Sequence, residues 1–72
     1  MSKSLELWQL RVLEEREMLA QRLTKLDQFV GNRQVIEDPI TPEFILLVRQ
    51  QTAMKMYLEI LDERIVRFNH GS

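Results

Sequence analysis

Apolar residues recur at every seventh position through both halves of the chain. That spacing places side chains on one face of a helix and is typical of helices that pack against helices. The two series are Leu5, Val12, Leu19 and Leu26, and then Leu47, Met54, Leu61 and Phe68, with Phe44, Leu58 and Ile65 in the interleaved positions. Gln51 is the one polar residue in the second face. It predicts either a register-setting contact or a hydrogen bond to a ligand.

Further large apolar residues lie outside these two faces. We call Leu46, Ala53, Tyr57 and Ile60 the second stripe; Arg49, Arg64 and Arg67 lie close to it in the sequence. The first half adds Trp8, Leu10, Leu13, Met18, Leu23 and Phe29. Because one hairpin buries one face per helix, these residues predict self-association. A long amphipathic helix with a few scattered apolar residues is the alternative.

The length of 72 residues permits one small domain. A domain this short buries a small fraction of its surface and is marginally stable alone. The chain contains no cysteine, so disulfides cannot stabilise it. Oligomerisation is the other common route to stability, which agrees with the unburied apolar residues.

The sequence predicts an all-α domain over residues 1–72, folded as an antiparallel two-helix hairpin that assembles into a helical homo-oligomer. The first helix is expected to start after a serine cap at Ser2 or Ser4, with Glu6 in its first turn, and to stop at Gly31-Asn32. Thr41-Pro42-Glu43 is a strong start signal for the second helix. The predicted segments are a helix at about 4–30, a loop at 31–41, a helix at about 42–68 and a tail at 69–72.

Charge and hydropathy argue against several classes of partner. Ten basic and eleven acidic residues give a net charge of -1, whereas proteins that bind duplex nucleic acid normally carry a basic excess. No apolar run is long enough to cross a bilayer, and no signal peptide opens the sequence. We therefore expect neither duplex nucleic acid nor a membrane as the partner.

The residues of common catalytic and metal sites are sparse. The single histidine, His70, lies in the predicted tail. A carboxylate cluster at Glu14, Glu15 and Glu17 is not followed by histidine at the spacing used in di-iron bundles. Two glycines do not make a phosphate-binding loop. The sequence predicts no enzyme, no metal site and no cofactor.

The remaining chemistry suits recognition of a small anion. Trp8 and Tyr57 offer aromatic faces on which a base stacks. Arg11, Lys25 and Arg64 offer positive charge for phosphates. The alternatives are packing within an interface for the aromatic residues and a solvated surface for each basic residue.

Two strings in the first half and a spaced pattern in the second are similar to a known family. They are Trp8-Gln9-Leu10-Arg11-Val12-Leu13-Glu14-Glu15, then Leu23-Thr24-Lys25-Leu26-Asp27-Gln28-Phe29, and Leu46-Leu47, Gln51, Ala53-Met54, Tyr57, Ile60-Leu61 and Arg64-Ile65. From Trp8 to Phe68 the chain resembles the anti-CBASS proteins of phages, small all-helical sponges that sequester cyclic oligonucleotide second messengers.

The resemblance implies a homohexamer that holds cyclic dinucleotides without cleaving them, in the cytoplasm of an infected bacterium, so that CBASS immunity stays inactive. Some members also bind cyclic trinucleotides at a separate site. Lys25 matches a lysine that contacts a phosphate in the family. Arg64 matches an arginine that contacts the larger ring of the cyclic trinucleotide. Trp8 stands where many relatives have tyrosine. Asp27 stands where similar proteins have threonine, and its negative charge argues against a trinucleotide site.

Two other functions fit the same residues. The second stripe also suits a helical protein–protein interaction module, such as an inhibitor of a host protein. A purely structural helical bundle in the virion is a third interpretation.

Overall fold

The computed structural model describes residues 4–36 and 41–70, with side chains for residues 4–32 and 41–69. It contains two helices, α1 (Leu7–Ile36) and α2 (Pro42–His70), and no strand in the described part. Contacts join the first half of α1 to the last third of α2, so the helices run antiparallel. The all-α two-helix prediction is confirmed. Four residues of the predicted loop, 37–40, and Ser2 lie outside the described ranges.

The predicted end of the first helix at Gly31 is wrong, since α1 continues through Gly31 and Asn32 to Ile36. Gly31 does not adopt the positive φ of a helix-ending glycine, and an added Cβ would meet open space. Glycine inside a helix costs only about 1 kcal/mol relative to alanine.

The start of α1 also differs from the predicted serine cap. Leu7 is the first helical residue, and Glu6 occupies the cap position instead of the first turn. The carbonyl of Glu6 accepts hydrogen bonds from the backbone N–H groups of Gln9 and Leu10 at 3.0 and 3.1 Å. The Gln9 side chain accepts one from the backbone N–H of Glu6 at 2.8 Å. This is the reach-back half of a capping box, which fixes the helix start.

The start of α2 agrees with the prediction. The hydroxyl of Thr41 accepts a hydrogen bond from the backbone N–H of Phe44 at 3.1 Å, and its carbonyl accepts one from Ile45 at 3.0 Å. Pro42 is the first helical residue and Glu43 lies in the first turn, where its charge suits the helix dipole. A threonine cap of this kind fixes where α2 begins.

The core lies along the faces that the seven-residue series predicted. Leu61 is fully buried and packs in a cluster with Val12 and Leu19. The partly buried residues against this cluster are Met54, Leu58, Ile65 and Phe68. Leu23, Val30 and Phe44 are also buried, whereas Leu5 precedes α1 and is exposed. One seam therefore accounts for the contact between the helices.

Among the described side chains, two polar contacts cross the seam and match its register. Arg16 Nε donates to Asp62 Oδ1 at 2.7 Å, and Gln51 Nε2 donates to Asp27 Oδ1. The hydrogen bond to Asp62 raises the pKa of Arg16 above its usual value, so Arg16 stays charged across the working pH range. Since Gln51 contacts the partner helix, the structure favours the register-setting interpretation of this residue.

The hairpin is a rod 56 Å long and 15 Å across. Its radius of gyration is 16.4 Å, compared with about 11 Å for a compact domain of this length. Six hydrophobic side chains among those described are buried, whereas twelve large ones are exposed. Leu46, Tyr57 and Ile60 of the second stripe belong to the exposed set. Within the described residues, neither helix has an apolar stretch long enough to cross a membrane.

Candidate functional site

A shallow groove lies at the end of the hairpin where α1 begins and α2 ends. Its volume is about 320 Å³, and its lining residues are Trp8, Arg64, Arg67 and Phe68. The antiparallel pairing brings these residues together, because it sets the first turn of α1 beside the last turns of α2. The groove therefore combines two aromatic rings with two guanidinium groups.

Trp8 is held in the groove at two points of its ring. Its indole N–H donates to Glu6 Oε2 at 2.7 Å. Its ring meets the ring of Phe68 edge-to-face, with centroids 5.6 Å apart and an interplanar angle of 82°. Nevertheless, 48% of Trp8 remains exposed. An anchored aromatic ring with this much free surface suits stacking against a planar ligand.

The two arginines of the groove supply its positive charge. Arg64 and Arg67 are one helical turn apart and exposed, and neither forms an ion pair in the described part of the chain. Glu63 has the spacing for a helical pair with Arg67, yet the ion pair that forms among the described side chains is Arg16–Asp62. Two adjacent unpaired guanidinium groups suit a phosphate, which accepts two-pronged hydrogen bonds from arginine.

Of the five predicted binding residues, the structure brings Trp8 and Arg64 together. Arg11 is exposed one turn after Trp8 but does not line the groove. Tyr57 belongs to the second stripe, two turns before Arg64. Lys25 follows Trp8 by about 25 Å along α1, at a rise of 1.5 Å per residue. Within one copy of the chain, Tyr57 and Lys25 do not join the groove.

Two lining residues were not among the predicted ones. The sequence places Arg67 near the second stripe but does not single it out as a phosphate contact. Its three-residue spacing from Arg64 indicates that both arginines share a face. Phe68 was assigned to the inner seam, and it does pack against the core. Its contact with Trp8 depends on how the helices are paired, which the spacing within one helix does not reveal.

Asp27 has a role inside the hairpin. Its carboxylate accepts the hydrogen bond from Gln51 that crosses from α2 to α1. The acid at the position where similar proteins carry threonine therefore helps set the register of the two helices.

A second depression of about 490 Å³ adjoins the first and is lined by Asp62, Glu63, Val66 and Arg67. Its two carboxylates make it a poor site for an anion, in contrast to the groove at Trp8. No group of three potential metal ligands converges among the described residues.

Residues 6–67 match the protein-family model described as Sequestin. The chain belongs to the Sequestin family. The match covers α1 and all but the last three residues of α2, so it includes Trp8, Arg64 and Arg67, while Phe68 follows its last residue. The name Sequestin points to sequestration of a ligand and does not specify which one. No curated protein and no solved structure matches the chain.

Proposed function

We propose that this protein is a phage sponge that binds cyclic oligonucleotide second messengers and holds them without cleavage. It acts as a homo-oligomer, a hexamer by the resemblance, in the cytoplasm of the infected bacterium, where it keeps CBASS immunity inactive. The observation that carries the proposal is the groove in which Trp8 lies beside two unpaired arginines. Membership of the Sequestin family supports the sequestering role.

The groove offers one contact for each part of a nucleotide. A base stacks on the exposed surface of Trp8, which is sequence-tolerant because every base has a π-face. A phosphate lies against Arg64 and Arg67, where charge-assisted hydrogen bonds are about twice as strong as neutral ones. A net charge of -1 is compatible with this binding, because the positive charge is local.

Retention without cleavage is consistent with the side chains that line the groove. Tryptophan and phenylalanine do not exchange protons with a substrate, and arginine stays protonated at any physiological pH. General acid–base catalysis needs a group with a pKa near the working pH. We therefore propose that the protein is not an enzyme and that the ligand leaves unchanged.

Assembly supplies the rest of the site. Lys25 and Tyr57 are too far along the hairpin to reach the groove of their own copy, but a neighbouring copy brings them close if it packs on the second stripe. The exposure of Leu46, Tyr57 and Ile60 supports packing of this kind, because large apolar side chains that are exposed together usually mark an interface.

Calorimetry with cyclic di-AMP, cyclic di-GMP, cyclic GMP–AMP and the cyclic trinucleotide of adenosine tests the proposal. We expect heat from at least one of them at tens of micromolar protein, and the recovery of intact nucleotide after the protein is denatured. Binding of none of the panel, or recovery of linear products, would contradict the proposal.

Replacing Arg64 with alanine is expected to weaken binding roughly 10- to 100-fold, since a hydrogen bond to a charged group contributes about 1.5–3 kcal/mol. Lys25→Ala is also expected to weaken binding while the assembly keeps its size. Lys55→Ala is the control, because it removes one positive charge from the opposite flank of α2 and is expected to bind like the wild type. Equal losses in Arg64→Ala and Lys55→Ala would indicate nonspecific charge attraction only.

The exposed second stripe also favours a second candidate function, a helical module that binds a host protein. A pull-down from bacterial lysate distinguishes the two. A stoichiometric protein partner, with no nucleotide released on heating, would support the module and count against the sponge.

A further inference from the structure

We infer that Glu6 is a positioning residue that orients the ring of Trp8 in the groove. Glu6 does not line the groove, and its side chain is exposed. Among the described residues, the side chain makes one polar contact, the hydrogen bond that its Oε2 accepts from the indole N–H at 2.7 Å. The consequence for ligand binding rests on the proposed function, whereas the orientation of Trp8 does not.

Two contacts at different points of one ring restrict its rotation. The hydrogen bond to Glu6 holds the nitrogen edge of the indole. The edge-to-face contact holds the plane of the indole at 82° to the ring plane of Phe68. A half-exposed tryptophan with neither contact samples several rotamers and loses that freedom when a ligand binds. Glu6 therefore removes part of the entropy cost of stacking before the ligand arrives.

The side chain of Glu6 is separate from the cap of α1. The cap uses the backbone of Glu6, whose carbonyl accepts from Gln9 and Leu10 and whose N–H donates to the Gln9 side chain. Removing the carboxylate leaves these bonds in place. Glu6→Ala is accordingly a clean test of the contact with Trp8.

The same hydrogen bond restricts what Trp8 contributes to recognition. An indole has one N–H donor, and Glu6 already accepts it. Trp8 therefore presents its ring surface to a ligand and no hydrogen bond. Phenylalanine at this position keeps a stacking surface but loses the hydrogen bond to Glu6, so we expect it to weaken binding about as much as Glu6→Ala. Discrimination between bases falls to other residues.

The orientation is measured without a ligand, because Trp8 is the only tryptophan and gives a single indole N–H signal in a nitrogen–proton correlation spectrum. We expect Glu6→Ala to move this signal upfield and to speed its exchange with solvent. Glu6→Gln keeps an acceptor oxygen and is expected to restore most of the wild-type signal. Glu14→Ala, an equal change of charge two turns later, is the control. An unchanged signal in Glu6→Ala would overturn the inference.

The effect on binding is measured with the cyclic dinucleotides of the calorimetric panel. We expect Glu6→Ala to weaken the affinity about three- to tenfold, which is the range for the cost of ordering one side chain on binding, and Glu6→Gln to recover it. Unchanged affinity in Glu6→Ala would contradict the positioning role. If the wild type binds none of the panel, the sponge proposal fails, while the indole signal still decides the orientation.

Discussion

Replacing Leu61 with alanine lowers the free energy of unfolding by roughly 2–5 kcal/mol, as expected for loss of a buried leucine side chain. Among the described side chains, Leu61 is the one with no exposed surface, and it joins Val12 and Leu19 in the central cluster. Domains of this size have a total stability of only about 5 kcal/mol or less from one core. We therefore expect the variant to be largely unfolded before any urea is added. A urea titration followed by circular dichroism measures this.

The matched control for this substitution is Val66→Ala, five residues later on α2. Val66 is 54% exposed, and surface changes of this kind usually alter stability by about 0.5 kcal/mol or less. Both titrations need the same protomer concentration, because association adds to apparent stability. Equal destabilisation by the two variants would contradict the assignment of Leu61 to the core.

We expect replacement of Ile60 with aspartate to dissociate the proposed assembly, although Ile60 is the neighbour of Leu61 in the sequence. Ile60 is 53% exposed in a single copy and lies in the second stripe. Burying a carboxylate without a partner costs several kcal/mol, so we expect the association constant to fall at least about 100-fold. Sedimentation equilibrium over a range of concentrations measures this change.

Val66→Asp is the control for the interface. It introduces the same charge at nearly the same exposure, roughly 120° around the helix from Ile60 at 3.6 residues per turn. We expect this variant to associate like the wild type. Dissociation by both variants, or by Val66→Asp alone, would show that the second stripe is not the contact between copies.

The helices and their inner faces follow from the sequence because the seven-residue spacing directly encodes which side chains share a face. The end of α1 does not follow as simply. Gly31-Asn32 predicts a stop, but the local cost of glycine in a helix amounts to only about 1 kcal/mol, which does not by itself end a helix. Glu6 caps α1 without a serine, because its carbonyl accepts hydrogen bonds from the first amide groups of the helix and the Gln9 side chain accepts one from its N–H.

The candidate site was predictable only in part. Trp8 and Arg64 stand out by residue type, but their proximity depends on the pairing of two helices, and the same pairing adds Arg67 and Phe68. The Arg16–Asp62 and Gln51–Asp27 contacts accompany the apolar seam in that pairing. Lys25 and Tyr57 do not line the groove of their own copy, and the proposed contribution from a neighbouring copy depends on a placement that the pattern within one chain does not encode.

Native mass spectrometry of the purified protein tests the central claim most directly, because it reports the size of the assembly and any bound nucleotide together. We predict a particle that contains two or more copies of the 8.6 kDa chain. Its mass should increase by that of intact cyclic dinucleotide when the nucleotide is added. A folded particle of 8.6 kDa that gains no such mass would contradict both the assembly and the sequestration.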